Sequence, residues 1–251
     1  MQDNDYTIKT MDHKEIEIAI DWAAKEGWNP GLHDADCYYT ADPKGFLMGL
    51  LGDEPIATIS AIRYDESFGF LGFYIVKPGY RCNGYGNQIW NAGLTHLDGR
   101  NIGLDGVVGQ QDNYQKSGFK LAYRNIRYEG VGGGNPPENT DIVYLNRVPF
   151  EIIELYDRSL FPANRCQFVK SWINQTDSHA LGIMQNGTLS GYGVIRQCRS
   201  GYKIGPLFAE SPELAERNNM KVSFETARMY LGKIPDMQLN RLLGVTSFEV
   251  G

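Results

Sequence analysis

An apolar run, Phe68–Val76, feeds through Lys77-Pro78-Gly79-Tyr80-Arg81-Cys82-Asn83-Gly84-Tyr85-Gly86 into a helical pattern that starts near Gly84. A helix that starts at such a turn presents backbone N–H groups with no intrahelical partner. Together with the helix dipole these donors form an anion site. Gly84 and Gly86 remove side chains, so the backbone can approach a diphosphate closely, and Arg81 adds fixed positive charge. The same residues also read as an ordinary helix start after a turn. No Gly-Lys-Ser/Thr follows the glycines, which excludes a P-loop nucleotide site.

The flanking patterns give an element order. Residues 6–11 alternate like a short strand, and His13–Trp28 has helical spacing through Ile16, Ile20, Ala23 and Ala24. Asp12 with Glu15 three residues on predicts a capping box, and Gly27 ends the helix. After Trp28-Asn29-Pro30-Gly31 a short helix is predicted over His33–Tyr39. Gly45–Leu51, Pro55–Tyr64 and Phe68–Val76 are strand-like runs separated by short turns, the pattern of an antiparallel meander. A helix over Gly84–Leu97, a strand over Ile102–Val108, a short helix over Gln111–Ser117 and a strand over Lys120–Glu129 follow.

Val131-Gly132-Gly133-Gly134-Asn135-Pro136-Pro137 has the composition of a flexible linker. It predicts a domain over 1–130, a linker over 131–141 and a second domain over 142–251. The second half shows a strand at Ile142–Leu145, a helix at Phe150–Phe161, a hairpin of His179–Met184 and Leu189–Gln197 around Asn186-Gly187, and a strand at Tyr202–Ala209. Phe119-Lys120-Leu121-Ala122-Tyr123 matches Met220-Lys221-Val222-Ser223-Phe224 at an offset of 101 positions, an internal duplication. Pro78 and Pro212 match at an offset of 134, so the second copy is shorter between these points. Loss of a central strand is one explanation; a stretch missing near Leu214–Arg217, with a chain break there, is the expectation.

A net charge of −6 argues against bulk nucleic-acid binding. Cys37, Cys82, Cys166 and Cys198 form no CxxC pair and do not combine with the scattered histidines at zinc spacing, so no structural metal is expected. No apolar run approaches the ~20 residues that cross a bilayer, and the first residues are polar and acidic, so a cytoplasmic chain without a membrane partner is expected.

Arg-x-x-Gly-x-Gly directly after a Val-x-Pro strand end resembles the coenzyme A pyrophosphate loop of the GNAT acetyltransferase superfamily. Tyr114-Gln115-Lys116-Ser117-Gly118-Phe119 is similar to that superfamily's Tyr-x-x-x-Gly-Phe segment, and the element order of residues 6–129 is the GNAT order. The tandem arrangement resembles the YitH-type double-GNAT family over essentially the whole chain. The resemblance implies an α+β fold, each half a mixed, mostly antiparallel twisted sheet flanked by helices.

It also implies acetyl-CoA as cofactor and N-acetyl transfer to a small primary amine by direct attack. Backbone groups of Tyr74, Ile75 and Val76 would hold the pantetheine arm, and the amides of Arg81, Cys82, Asn83, Gly84, Tyr85 and Gly86 the pyrophosphate. Tyr114 would protonate the leaving thiolate; its other reading is a packing tyrosine. Val107 and Val108 stand where many relatives carry an asparagine that touches the cofactor, and Asn113 is the substitute expected. The acceptor pocket implied between the first helices and the meander would include Trp28, Asn29 and Asp34. Asp34 reads as an amine-binding or proton-accepting carboxylate, or as the cap of the second helix; Trp28 reads as pocket wall or core. Cys82 next to Arg81 at a helix start has a nucleophile's setting, but without a histidine and carboxylate to support it.

The second half has Ser211-Pro212-Glu213-Leu214 where the first has its glycine turn, and so is expected to be non-catalytic. A catalytically silent acyl-CoA sensor or interaction module is the alternative function, and monomer or homodimer the expected assembly.

Overall fold

The computed structural model describes residues 5–132, 141–210 and 221–251. Ser211-Pro212-Glu213-Leu214, the break expected near Leu214–Arg217 and most of the glycine-rich linker lie outside them. The first half follows the predicted order: β1 (Tyr6–Thr10), α1 (Ile16–Lys25), α2 (Asp34–Ala41), β2 (Phe46–Leu51), β3 (Glu54–Arg63), β4 (Phe68–Val76), α3 (Tyr85–His96), β5 (Asn101–Val107), α4 (Gln111–Lys116) and β6 (Lys120–Glu129). The capping box forms reciprocally: the Glu15 amide donates to Asp12 Oδ1 at 2.9 Å and the Asp12 amide to Glu15 Oε2 at 3.0 Å.

The second half contributes β7 (Ile142–Tyr144), α5 (Phe150–Arg158), α6 (Cys166–Trp172), β8 (Ser178–Gln185), β9 (Thr188–Gln197), β10 (Tyr202–Ala209), β11 (Lys221–Leu231) and β12 (Leu242–Gly244). Helix α6 and strands β11 and β12 were not foreseen. The fold is α+β: a mixed, mostly antiparallel sheet of order β1-β2-β3-β4-β5-β11-β6 and an antiparallel sheet of order β12-β10-β9-β8-β7. Among the described residues, the parallel ladder of the first sheet is β4 with β5.

The sheets do not divide where the linker does. Strand β11 enters the first sheet between β5 and β6, running from Thr226 opposite Val107 to Leu231 opposite Ile102 on one side and pairing with β6 on the other. A unit ending at 130 therefore leaves β5 and β6 without the strand between them. β11 suits an interior slot because both its faces are apolar or paired: Ala227 and Met229 enter one core, and Tyr230 another with Phe68 and Phe70.

A third core cluster spans the two halves. Tyr38 of α2 stacks on Trp172 of α6 with ring centroids 5.8 Å apart and meets Phe73 of β4 edge-on at 5.7 Å. The Trp28–Gly31 loop is docked on the second sheet: Leu32 donates to the Gln197 carbonyl, and Gly31 pairs with Cys198.

Candidate active site

Strands β4 and β5 pair from Phe68 opposite Asn101 to Leu71 opposite Leu104, and then part. A bulge marks the point of parting. Thr58 of β3 faces Ile75, but Ser60 faces Gly72, so Phe73 and Tyr74 together oppose Ile59. Phe73 takes φ +45, and its carbonyl accepts the buried Thr58 hydroxyl at 2.9 Å. This sends Phe73 toward α1 and α2 and leaves Tyr74 on the α3 side, where it lies 5.2 Å from Trp90.

A groove of about 540 Å³ runs through the opened sheet. Tyr74, Val76, Gly86, Trp90 and Tyr114 line it on the α3 side; Trp28, Phe73, Phe224, Thr226 and Phe248 line it on the other. At its α3 mouth, the amides of Cys82 through Asn87 make no hydrogen bond within the described residues. Cys82 (φ +64) and Gly84 (φ +86) are both left-handed, which turns successive amides to one side, and a Cβ on Gly84 would meet nothing within 4 Å. The residues present thus fit a diphosphate: a row of free donors, with open space before the glycine.

Two GNAT models match the chain. The one described as "Acetyltransferase (GNAT) family" covers residues 14–119, and the one described as "Acetyltransferase (GNAT) domain" covers 153–223. The chain belongs to the GNAT superfamily. It is a tandem GNAT acyltransferase. A holothin acyltransferase from Pseudoalteromonas sp. (strain SANK 73390) is 28% identical, with 98% of this chain and 95% of that protein aligned. YitH, an N-acetyltransferase of Bacillus subtilis (strain 168), is 25% identical over 58% of this chain and about half of its own length, 52%. A solved structure from Pyrococcus horikoshii superposes with a TM-score of 0.83 at 19% identity, covering 100% of this chain and 98% of that one. A tandem GNAT protein from the clavulanic acid biosynthesis pathway gives 0.56 at 10% identity, over 92% and 100%. These two likenesses are of fold.

In this tandem GNAT protein the foreseen residues divide into three groups. Tyr74, Ile75, Val76, Cys82, Gly84, Gly86, Tyr114 and Trp28 are brought together around the groove. Arg81 reaches it too, but its amide is held by the Pro78 carbonyl, its Nε donates to the Val76 carbonyl at 2.8 Å, and its guanidinium is paired with Glu26. Asn83 is turned onto the Arg81 carbonyl at 3.2 Å, and half-buried Tyr85 packs on Tyr6 at 4.9 Å; each offers the groove mouth its amide rather than its side chain. Gly86 is required for a different reason from Gly84: a Cβ there would lie 2.8 Å from the Tyr74 hydroxyl.

The third group stands away. Asp34 is fully buried at 0% exposure and accepts from Arg196 Nε at 2.8 Å, the Gly31 amide at 2.7 Å and the Tyr38 hydroxyl at 3.2 Å. Its carboxylate is spent on this network and lines no part of the groove, which corrects both the amine-binding and the capping reading. Asn29 clamps the Ser200 backbone through both its side-chain atoms, at 2.8 and 3.0 Å. Asn113 is exposed and bonded to Gln110 Oε1 at 2.6 Å; Gln110 lines the groove in its place.

Tyr114 is packed over Gly106 of β5, where a Cβ would fall 2.3 Å from its ring. Burial, with Tyr74 adding to it, pushes the Tyr114 phenol up to about 12. Gly106, Gln110, Thr226, Phe224 and Phe248 are groove residues that the sequence did not single out. Signals existed for the first, a glycine inside a strand pattern, but not for residues more than a hundred positions away.

Proposed function

We propose that this acyltransferase moves an acetyl group from acetyl-CoA to a small primary amine by direct attack, with Tyr114 as general acid. The observation that carries the reading is the groove between β4 and β5, with free amides at one mouth and Tyr114 in its wall. Acetyl-CoA supplies the acetyl group already activated as a thioester. The amides of Cys82 through Gly86 would hold its diphosphate, and the freed edge of β4 from Gly72 to Val76 its pantetheine arm. Tyr114 keeps its proton at neutral pH and has it to donate to the departing sulfur. The aromatic residues on the far side exclude water from the reacting atoms.

The relative that aligns along nearly its whole length is named for acylating holothin, which supports a small-molecule acceptor here. Thiol release in a panel of amines with acetyl-CoA tests the reading. Tyr114→Phe should cut turnover about 100-fold or more while cofactor affinity stays unchanged. If no amine releases thiol although acetyl-CoA binds, the chain is an acyl-CoA sensor and the catalytic reading is wrong.

A further inference from the structure

We infer that the acceptor is an uncharged, flat aryl or heteroaryl amine, held between Trp28, Phe224 and Phe248 and hydrogen-bonded by the Thr226 hydroxyl. The inference rests on the acetyl-transfer reading and names the substrate class of that same site.

Thr226 of β11 is 1% exposed, lines the groove, and its Oγ1 has no partner among the described residues. A buried hydroxyl left without a partner costs stability, so one in the wall of a cavity, which rotation about χ1 would bring to the cavity surface, marks where a ligand atom is expected to complete it. The walls near it are aromatic. Phe224 and Phe248 lie with ring centroids 6.1 Å apart, and Trp28 and Phe73 face the same space. Stacking on such faces selects a flat partner.

The charges around this end point away from a cation. The carboxylates in the lining are Glu26 and Asp105, and both are spent. Glu26 is paired with Arg81; Asp105 takes Arg228 Nε at 2.8 Å, Arg228 Nη2 at 2.6 Å and Asn125 at 2.7 Å. Positive charge stands behind the wall instead: the Arg127 guanidinium lies 5.0 Å from the Phe224 ring centroid, and both Arg127 and Lys203, the latter with buried Glu249 near it, donate to the Trp28 carbonyl. A polyamine would find no unpaired carboxylate in the lining and these cations behind it. An aromatic cage can hold an ammonium, but holding the protonated form opposes attack, since the nitrogen then has no lone pair.

An aryl amine removes the difficulty, because delocalisation into the ring keeps it neutral at pH 7. In the transfer its nitrogen forms the bond to the acetyl carbon and the carbon–sulfur bond breaks with its electron pair passing to sulfur. The sulfur gains one proton and the nitrogen gives one up. No base is needed before attack, which matches a lining without a free carboxylate or histidine.

The test is thiol release from acetyl-CoA with aniline and 2-aminothiazole against spermidine and butylamine, in the wild-type chain, Thr226→Val and Thr226→Ser. The aryl amines should be preferred. Thr226→Val should raise their KM about tenfold with the KM for acetyl-CoA unchanged, the loss of one hydrogen bond, and Thr226→Ser should restore it. Preference for spermidine or butylamine overturns the acceptor class while leaving acetyl transfer standing. Wild-type kinetics in Thr226→Val overturn the role of the hydroxyl. No thiol release with any amine overturns this inference and the acetyl-transfer reading together.

Discussion

Arg196 of β9 grips Asp34 of α2 across the boundary between the two halves, Nε to Oδ1 at 2.8 Å and Nη2 to Oδ2 at 3.3 Å, with 3% and 0% of the side chains exposed. Trp172 covers the guanidinium, its ring centroid 4.4 Å from the Arg196 carbon. A charge pair this deep is costly to half-remove, because the surviving charge stays buried. Asp34→Ala is therefore expected to destabilise the chain by about 3–5 kcal/mol. Denaturant unfolding checks it, and turnover per folded molecule should stay near wild type. A large fall in kcat with unchanged stability would return Asp34 to the chemistry.

Gly106 sets the position of Tyr114. A Cβ at 106 would meet the tyrosine ring at 2.3 Å, so the ring must move. Gly106→Ala should lower kcat toward the Tyr114→Phe level without greatly weakening acetyl-CoA binding. Steady-state kinetics of the two single variants and the double variant read the dependence: the double should lose little more than Tyr114→Phe alone.

Gly84 and Gly86 should respond differently. Gly84→Ala places a side chain at φ +86 in open space, so it costs about 1 kcal/mol of backbone strain and obstructs the face offered to the diphosphate. Gly86→Ala pushes on the Tyr74 hydroxyl inside the protein. Titration calorimetry and thermal unfolding should show Gly84→Ala losing chiefly affinity and Gly86→Ala losing stability as well.

Burial raises Tyr114 to about 12 from its ordinary 10.0 and Cys37 to about 11 from 9.0. Both are acids held neutral by the fold. Their contribution is thus fully present below pH 9 and is lost as pH rises through 11 and 12. Tm should be flat on approach to pH 9 and fall beyond it, and Tyr114→Phe should lessen the fall above pH 10. The Tyr114-dependent part of kcat should show no descending limb up to pH 9.

Much of the first half was legible because its elements are local. The meander, the capping box at Asp12 and Glu15, and the strand–turn–helix at Gly84 each follow from residues near in sequence. The place of β11 in the first sheet was not legible because strand pairing is long-range. The match of 220–224 to 119–123 marks a duplication but does not show that Lys221–Leu231 pairs with Asn101–Val107 and Lys120–Glu129. The far side of the groove was illegible for the same reason, since Phe224 and Thr226 reach it only through the insertion of β11 and Phe248 only through the C-terminal segment, whose Glu249 carbonyl accepts the Ser60 hydroxyl. Asp34 misled because a carboxylate at a helix start looks the same in sequence whether or not an arginine 162 positions on will meet it.

Strand β11 also makes the halves interdependent. Residues 1–130 expressed alone should lack a cooperative transition, whereas the whole chain should unfold in one; two separated transitions in calorimetry would show the halves to be independent.

One acetyl-CoA site per chain is expected, in the groove between β4 and β5 of the first sheet. Titration calorimetry with acetyl-CoA measures it directly. A saturable heat with one site per chain, weakened by Gly84→Ala, is the predicted result; no saturable heat, or two equivalent sites per chain, would contradict it.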